Sequence, residues 1–234
     1  MKYLLILVLA VGFLSCQEVD GPDINDKGID AGLLAYFPFD SSFNDASGNN
    51  NVLQVHGNPE FVKGFKDKPS TAILLNGKDD FLIGCIGKPD TFSISMWLQS
   101  FRYYVGEWPV WRSTVFDYSN KQVYGTIDGI SGATQIKCGI ESEEFAGADI
   151  ANCVDWFHLY ISVSDDVKIY LDDSLAKTSP LQDKITFLND TIYFGRASDD
   201  EEIKLTYFYG KLDEIRIFNR ILDQAEIKEL SSRE

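Results

Sequence analysis

The chain has 234 residues, with 36 acidic against 21 basic side chains and a formal net charge of −15. That balance excludes nucleic acid as a partner, because phosphate binding needs clustered Lys and Arg, and it excludes adhesion to anionic lipid by charge alone. Its plain consequence is solubility. In chain order, the first element is the apolar run 3–14, preceded by the basic Lys2 and ending at Ser15-Cys16. The run is too short to span a bilayer as a helix and suits a secretory signal peptide. Residues 17–32, "QEVDGPDINDKGIDAG", are acidic, rich in Gly and Asp and free of aromatics. They cannot bury enough apolar surface to fold, so 16–32 reads as a flexible tether.

From Leu33 onward, short alternating runs follow one another with turn residues between them. In "TFSISMWLQ", Phe92, Ile94 and Met96 face one way and Ser93, Ser95 and Trp97 the other. In "DWFHLYISVS", Phe157, Leu159, Ile161 and Val163 oppose Trp156, His158 and Tyr160. "LLAYFPF", "TAILLNG", "DDFLIG", "STVFDYS", "QVYGTID", "TQIKCGI", "VKIYLDD", "TIYFGR" and "KLDEIRIF" read as further strands. Period two with strand-length runs predicts an all-β sandwich or barrel. One helix is predicted in "LDQAEIKEL", capped by Asp223, with Ala225, Ile227 and Leu230 near one face. No repeat or second composition block interrupts 33–234, which reads as one domain.

Ser15-Cys16 directly after the apolar run resembles the lipobox of bacterial lipoproteins, with Phe13 where Leu is usual. The resemblance implies cleavage before Cys16 and its lipidation, a membrane anchor through that lipid, and residence in the cell envelope. The expected place is the outer membrane, facing the surface or the periplasm. Cleavage leaves 219 of the 234 residues and, since Lys2 is the charge removed, moves the net charge from −15 to −16. Cys85, Cys138 and Cys153 then remain. Cys138 and Cys153 close a short loop between two strand-like runs and are the expected disulfide in an oxidising compartment. The alternative is three buried, unpaired thiols.

The order of the segments resembles the LamG-like jelly roll of the concanavalin A-like lectin/glucanase superfamily. "GLLAYFPFDSSFNDASGNNN" is similar to its opening strand and Asn/Gly loop. "AILLNGKDDFLIG" and "FSISMWLQ" are similar to its "F-x-G-x-x-D-Y" step and its "F-T-I-S-F-W" strand. "DWFHLYISVSDDVKIYLDDSL" resembles its "W-H-H" hairpin, and "YGKLDEIRIFNRILDQAEIKEL" its closing strand and helix. The resemblance implies a concanavalin A-like jelly-roll sandwich of two antiparallel sheets, one of them concave, with one short C-terminal helix. It does not by itself imply an activity. Members often hold one calcium ion where the first and last strands meet. The matching positions are Asp213, the carbonyl of Gly77, and Asp45 in the "NDASGNN" loop, where a plain turn is the alternative. Such an ion would be structural.

The glucanases of this superfamily carry Glu-x-Asp-x-(x)-Glu on one strand, which places two carboxylates on the same face. Here the only Glu-x-Asp is Glu18-Val19-Asp20, in the tether, and "ESEE" at 141–144 reads as a solvated acidic loop. His56 and His158 are the only histidines, so a His-rich zinc site is excluded and His158 reads as structural. The expectation is therefore a binding module rather than an enzyme. Its expected ligand is a glycan or polysaccharide, held by the aromatic stretch "FRYYVGEWPVWR" through Tyr104, Trp108 and Trp111. Aromatics are also common sandwich core, and Trp97 and Trp156 read as structural. Two rivals remain: a jelly roll that docks another protein through a flat apolar patch, and a hydrolase with an unfamiliar acidic site.

Overall fold

The computed structural model of the chain describes residues 28–101, 110–130, 133–140, 143–198 and 207–232. The expected signal peptide, Cys16 and most of the expected tether lie outside the described residues. Fifteen strands and one helix follow in order: β1 (Leu33–Phe37), β2 (Leu53–His56), β3 (Glu60–Val62), β4 (Ala72–Asn76), β5 (Phe81–Cys85), β6 (Phe92–Ser100), β7 (Val110–Tyr118), β8 (Val123–Ile130), β9 (Ala133–Ile140), β10 (Glu143–Asp149), β11 (Phe157–Val163), β12 (Asp166–Leu171), β13 (Ser174–Pro180), β14 (Thr191–Phe194), β15 (Tyr209–Phe218) and α1 (Gln224–Ser232).

They form two antiparallel sheets. The eight-stranded sheet runs β13-β12-β11-β6-β15-β4-β3, with β1 pairing β15. The seven-stranded sheet runs β10-β9-β8-β7-β14-β5-β2. Alternation explains the layering. Phe92, Ile94, Met96 and Leu98 of β6 and Leu159, Ile161 and Val163 of β11 meet Phe116, Ile127, Ile136, Ile192 and Phe194 of the other sheet in one core.

The other face of β6 and β11 is also covered, because α1 lies there. Leu33, Tyr160, Phe218, Leu222, Ile227 and Leu230 make a second apolar cluster. Asp223 caps the helix as expected, its Oδ1 accepting the Ala225 and Glu226 amides at 2.8 and 2.9 Å. Glu226 reaches back to the Asp223 amide at 2.8 Å, which completes a reciprocal cap. Ala225, expected on the buried face, is exposed. Burial of this second face explains His158, whose Nε2 lies 2.8 Å from Ser95 Oγ inside the protein.

β15 pairs with β6 along one edge. Its other edge is shared: Tyr209–Leu212 pair with β4, and Ile215–Phe218 pair with β1. First and last strands therefore meet, as the resemblance implies. Asp213 and Glu214 stand where the partner changes from β4 to β1, and the register against β6 slips between Asp213 and Arg216.

Four strands escaped the sequence reading. β2 and β3 are short, β13 is an almost wholly exposed edge, and Glu143 and Glu144, read as loop, begin β10. Cys138 and Cys153, expected as a disulfide, are separate buried thiols, and Cys85 is exposed. Burial pushes the Cys138 thiol up to about 12, so it behaves as a small apolar group.

Candidate functional site

The outward positions of the seven-stranded sheet carry its polar and aromatic chemistry. Leu82, Ile192 and Phe194 point into the core. The alternate residues Phe81 and Ile83 of β5 and Tyr193 of β14 therefore point outward, and all three are half-buried. His56, paired with Phe81 across β2 and β5, stacks on its ring at 4.2 Å and 3°. Tyr207 joins from beyond β14 through a bridge to Thr114, its carbonyl accepting Ser113 Oγ at 3.2 Å. Its ring meets the Phe81 ring edge-on at 6.1 Å. Arg196 lies among them, its guanidinium 4.7 Å from the Phe81 ring centre.

Beside this cluster the sheet face turns polar. Asp117, opposite Tyr193, is fully buried. Its carboxylate accepts the Lys121 amide at 2.5 Å and the Ser198 amide at 2.7 Å. Burial raises its pKa even against those donors. It thus ties the β7–β8 turn to the loop after β14. Further along, Asp128 and Lys137 form a buried ion pair at 3.2 Å, and Thr126 Oγ1 is buried without a partner.

The sequence placed the ligand-binding rings elsewhere. Tyr104 and Trp108 lie outside the described residues. Trp111 falls in β7, in register with Gly129 of β8. His56, Phe81, Tyr193, Tyr207 and Arg196 were missed. The available signal was the alternation in "DDFLIG" and "TIYFGR", which leaves Phe81 and Tyr193 outside once Leu82 and Ile192 are assigned to the core.

The three residues expected to hold calcium do not converge. Asp45 organises its own turn. Its Oδ1 accepts the amides of Tyr36 and Ser47 at 3.0 and 2.9 Å, and its Oδ2 accepts the Asn51 amide, Asn51 Nδ2 and Ser47 Oγ. Burial works against its charge, but these donors outweigh it and hold the pKa below the usual value. Gly77 sits against Tyr209, where an added Cβ would be 2.7 Å from that side chain's Cβ. The glycine beside Asp213 is Gly64, whose added Cβ would lie 2.3 Å from Asp213 Oδ2.

Of the two expected carboxylates, Asp213 is the one with a buried, partnerless oxygen. It lines a pocket of about 60 Å³ whose other walls are Asp40, Phe65, Thr71 and Glu214 together with two lysines, Lys66 and Lys68. Oδ2 accepts the Phe65 amide at 3.2 Å, while Oδ1 is buried without a partner. Burial pushes this carboxyl up to about 7. Phe39, Ser41, Lys66, Asp67, Ser70 and Glu214, in the segments that frame the pocket, all hold positive φ. Left-handed backbone at non-glycine residues costs free energy and persists where the surroundings enforce it. Among the described residues no three His, Cys, Asp or Glu side chains gather as a metal set.

A laminin G-type family model, described as the concanavalin A-like lectin/glucanases superfamily, matches residues 76–228. The chain belongs to that superfamily. Among solved structures, domain 4 of AbnA, a GH43 extracellular arabinanase from Geobacillus stearothermophilus, in complex with arabinotriose, is 19% identical. The match covers 86% of this chain and 98% of that one, with a TM-score of 0.61. The botulinum neurotoxin serotype C1 binding domain is 17% identical, with 88% and 52% covered and a TM-score of 0.66. The binding domain of botulinum neurotoxin DC, in complex with rat synaptotagmin II, is 19% identical, with 87% and 52% covered and a TM-score of 0.64. The chain spans about half the length of these toxin chains. At these identities the likeness is one of fold. No curated protein matches the chain.

Proposed function

We propose that this protein is a non-catalytic, lectin-like module that binds a glycan on the outer face of its seven-stranded sheet, and that lipidated Cys16 tethers it to the bacterial cell envelope. The observation that carries the reading is the half-exposed aromatic cluster on the outward positions of β5 and β14. Rings fixed on strands offer apolar faces to a pyranose at little entropic cost, and polar neighbours read its hydroxyls. The arabinotriose complex of the AbnA domain supports this, since it shows the same fold beside a sugar. So does the missing Glu-x-Asp-x-(x)-Glu strand, which removes the superfamily's glucanase chemistry.

A calcium ion at Asp213 would be structural, closing the gap between β1 and β4 with the partnerless Oδ1 as its anchor. A flat apolar docking patch is less well supported. Val52, Val55, Val154, Leu175, Leu188 and Ile221 are the exposed large hydrophobics among the described residues, and they are spread over separate segments.

The test is polysaccharide pull-down and a glycan array, with and without calcium, on wild type, Phe81→Ala, Tyr193→Ala and Trp108→Ala. Binding that falls at least about tenfold in the ring variants supports the reading. A wild type that retains no glycan overturns it.

A further inference from the structure

Among the described residues, no anion pairs with the Arg196 guanidinium. Gly195 before it has a φ of 92° and is pinned on both sides, its amide on the Val115 carbonyl at 2.9 Å and its carbonyl under the Phe208 amide at 2.8 Å. A side chain at residue 195 would run into Leu75 Cδ1, 2.7 Å from an added Cβ. The backbone that presents Arg196 is therefore fixed by the core. Its guanidinium then sits among three rings, 4.7 Å from Phe81, 5.7 Å from Tyr207 and 5.9 Å from Tyr193. Nε donates to the Ala197 carbonyl at 2.8 Å, and Nη1 reaches the Tyr207 hydroxyl at 3.5 Å. Neither partner carries a charge.

Four other cations of the described residues have acidic partners, while Lys211 also lies over two rings, those of Phe101 and Trp156. Arg216 is paired with Glu214, Arg220 with Glu226, Lys137 with Asp128 and Lys168 with Asp166. In a chain at −15, carboxylates are abundant, yet among the described residues none is placed against Arg196. Asp117, which lies opposite Tyr193 on this face, accepts the Lys121 and Ser198 amides and is already satisfied. A half-buried guanidinium covered by rings loses hydration on its faces, and with Nε on Ala197 and one Nη1 hydrogen toward Tyr207, the Nη2 group and the second Nη1 hydrogen are left as the donors for an anion.

We infer that Arg196 is the anion-reading residue of this face, and that the ligand is an acidic glycan whose carboxylate or sulfate meets the guanidinium edge while the sugar lies along the rings. The inference rests on the proposed glycan reading and narrows it. It predicts that binding weakens with salt, because the contact is between charges.

The test is affinity electrophoresis and calorimetry of the full chain with polygalacturonate, dextran sulfate and unmodified dextran, at low and moderate salt. Wild type, Arg196→Gln, Arg196→Lys and Phe81→Ala are compared, each with its thermal midpoint recorded. The expected result is retention of one or both acidic polymers by wild type, with salt-dependent affinity. Which polymer binds separates carboxylate from sulfate. Arg196→Gln should lose roughly ten- to hundredfold in affinity, the scale of a lost charged hydrogen-bond pair. Arg196→Lys should lose less, since it keeps the charge but not the fork, and it carries the test if the Gln variant does not fold. Acidic-glycan binding equal in wild type and both Arg196 variants overturns the inference. So does binding of neutral dextran that Phe81→Ala abolishes and Arg196→Gln leaves intact, an outcome that keeps the broader glycan reading. Loss of both readings is marked by a wild type that binds none of the polymers.

Discussion

Gly64 and Asp213 are packed so closely that a β-carbon on residue 64 would lie 2.3 Å from the Asp213 carboxylate. The same added carbon would lie 2.3 Å from Thr71 Oγ1. The floor of the Asp213 pocket thus depends on a residue with no side chain. Gly64→Ala is expected to destabilise the fold by about 1–3 kcal/mol, as overpacking does. It should also abolish any calcium-dependent rise in the thermal midpoint. Calorimetry with calcium and with chelator checks both. A calcium shift that survives in Asp213→Asn would remove the ion from this pocket.

Acid stability should report two buried groups acting in opposite directions. Burial holds the His158 imidazole down to about 4, against 6.5 when unfolded. Between those values the unfolded chain binds the extra proton, so this contribution is lost as pH falls through the window. Burial holds the Asp213 carboxyl up to about 7, against 3.8 when unfolded. There the folded chain keeps the extra proton, so without calcium stability falls as pH rises from about 4 to 7. Denaturant titrations should therefore show a clear rise with pH in Asp213→Asn and a clear fall in His158→Gln, with the wild type between them. Calcium should cancel the Asp213 part, since a bound cation keeps that carboxylate ionised.

The thiols offer a simple measurement. With Cys138 and Cys153 unlinked, a reducing agent should leave the thermal midpoint of the isolated domain unchanged. A thiol reagent should modify exposed Cys85 quickly and reach Cys138 only on unfolding. A reductant-dependent fall in the midpoint would show that oxidation joins the pair after all.

Much of the architecture was legible in the alternation of β6 and β11, since Phe92, Ile94, Leu159 and Ile161 share one face and bury it. The missed strands lacked that signal. β13 is an exposed edge whose Lys177 and Pro180 suit an unpaired rim rather than a core, and β10 begins with two glutamates. The candidate site was harder to see because it is assembled across the sheet. His56, Phe81, Tyr193 and Tyr207 lie far apart in the chain and meet only through the order β14-β5-β2. Asp213 was legible through the closing strand's likeness to its family. Its glycine neighbour was not, because Gly64 and Gly77 both sit in Gly-containing turns beside β4, and only the packing distinguishes them.

Arg220 should be the latch of the C-terminal helix. It grips Glu226 through both carboxylate oxygens, at 2.8 and 2.6 Å, and donates from Nε to the Ala31 carbonyl at 2.5 Å. Each charge holds the other's pKa further from neutrality, chiefly through that hydrogen bond. Arg220→Ala is expected to cost about 1–2 kcal/mol, more than an exposed pair because a backbone carbonyl is also lost. Hydrogen exchange should show faster amides in 28–33 and α1, with the core strands unaffected. Equal exchange in both proteins would mean that apolar contacts alone hold the helix.

The position of β15 has a consequence for how the protein is made. This strand follows β1, β4 and β6 in the chain yet sits in the interior of its sheet, between β6 on one side and β4 and β1 on the other. Until it arrives, three earlier strands present open edges and the halves of the sandwich have no shared spine. The eight-stranded sheet therefore cannot close before residues 209–218 have been made.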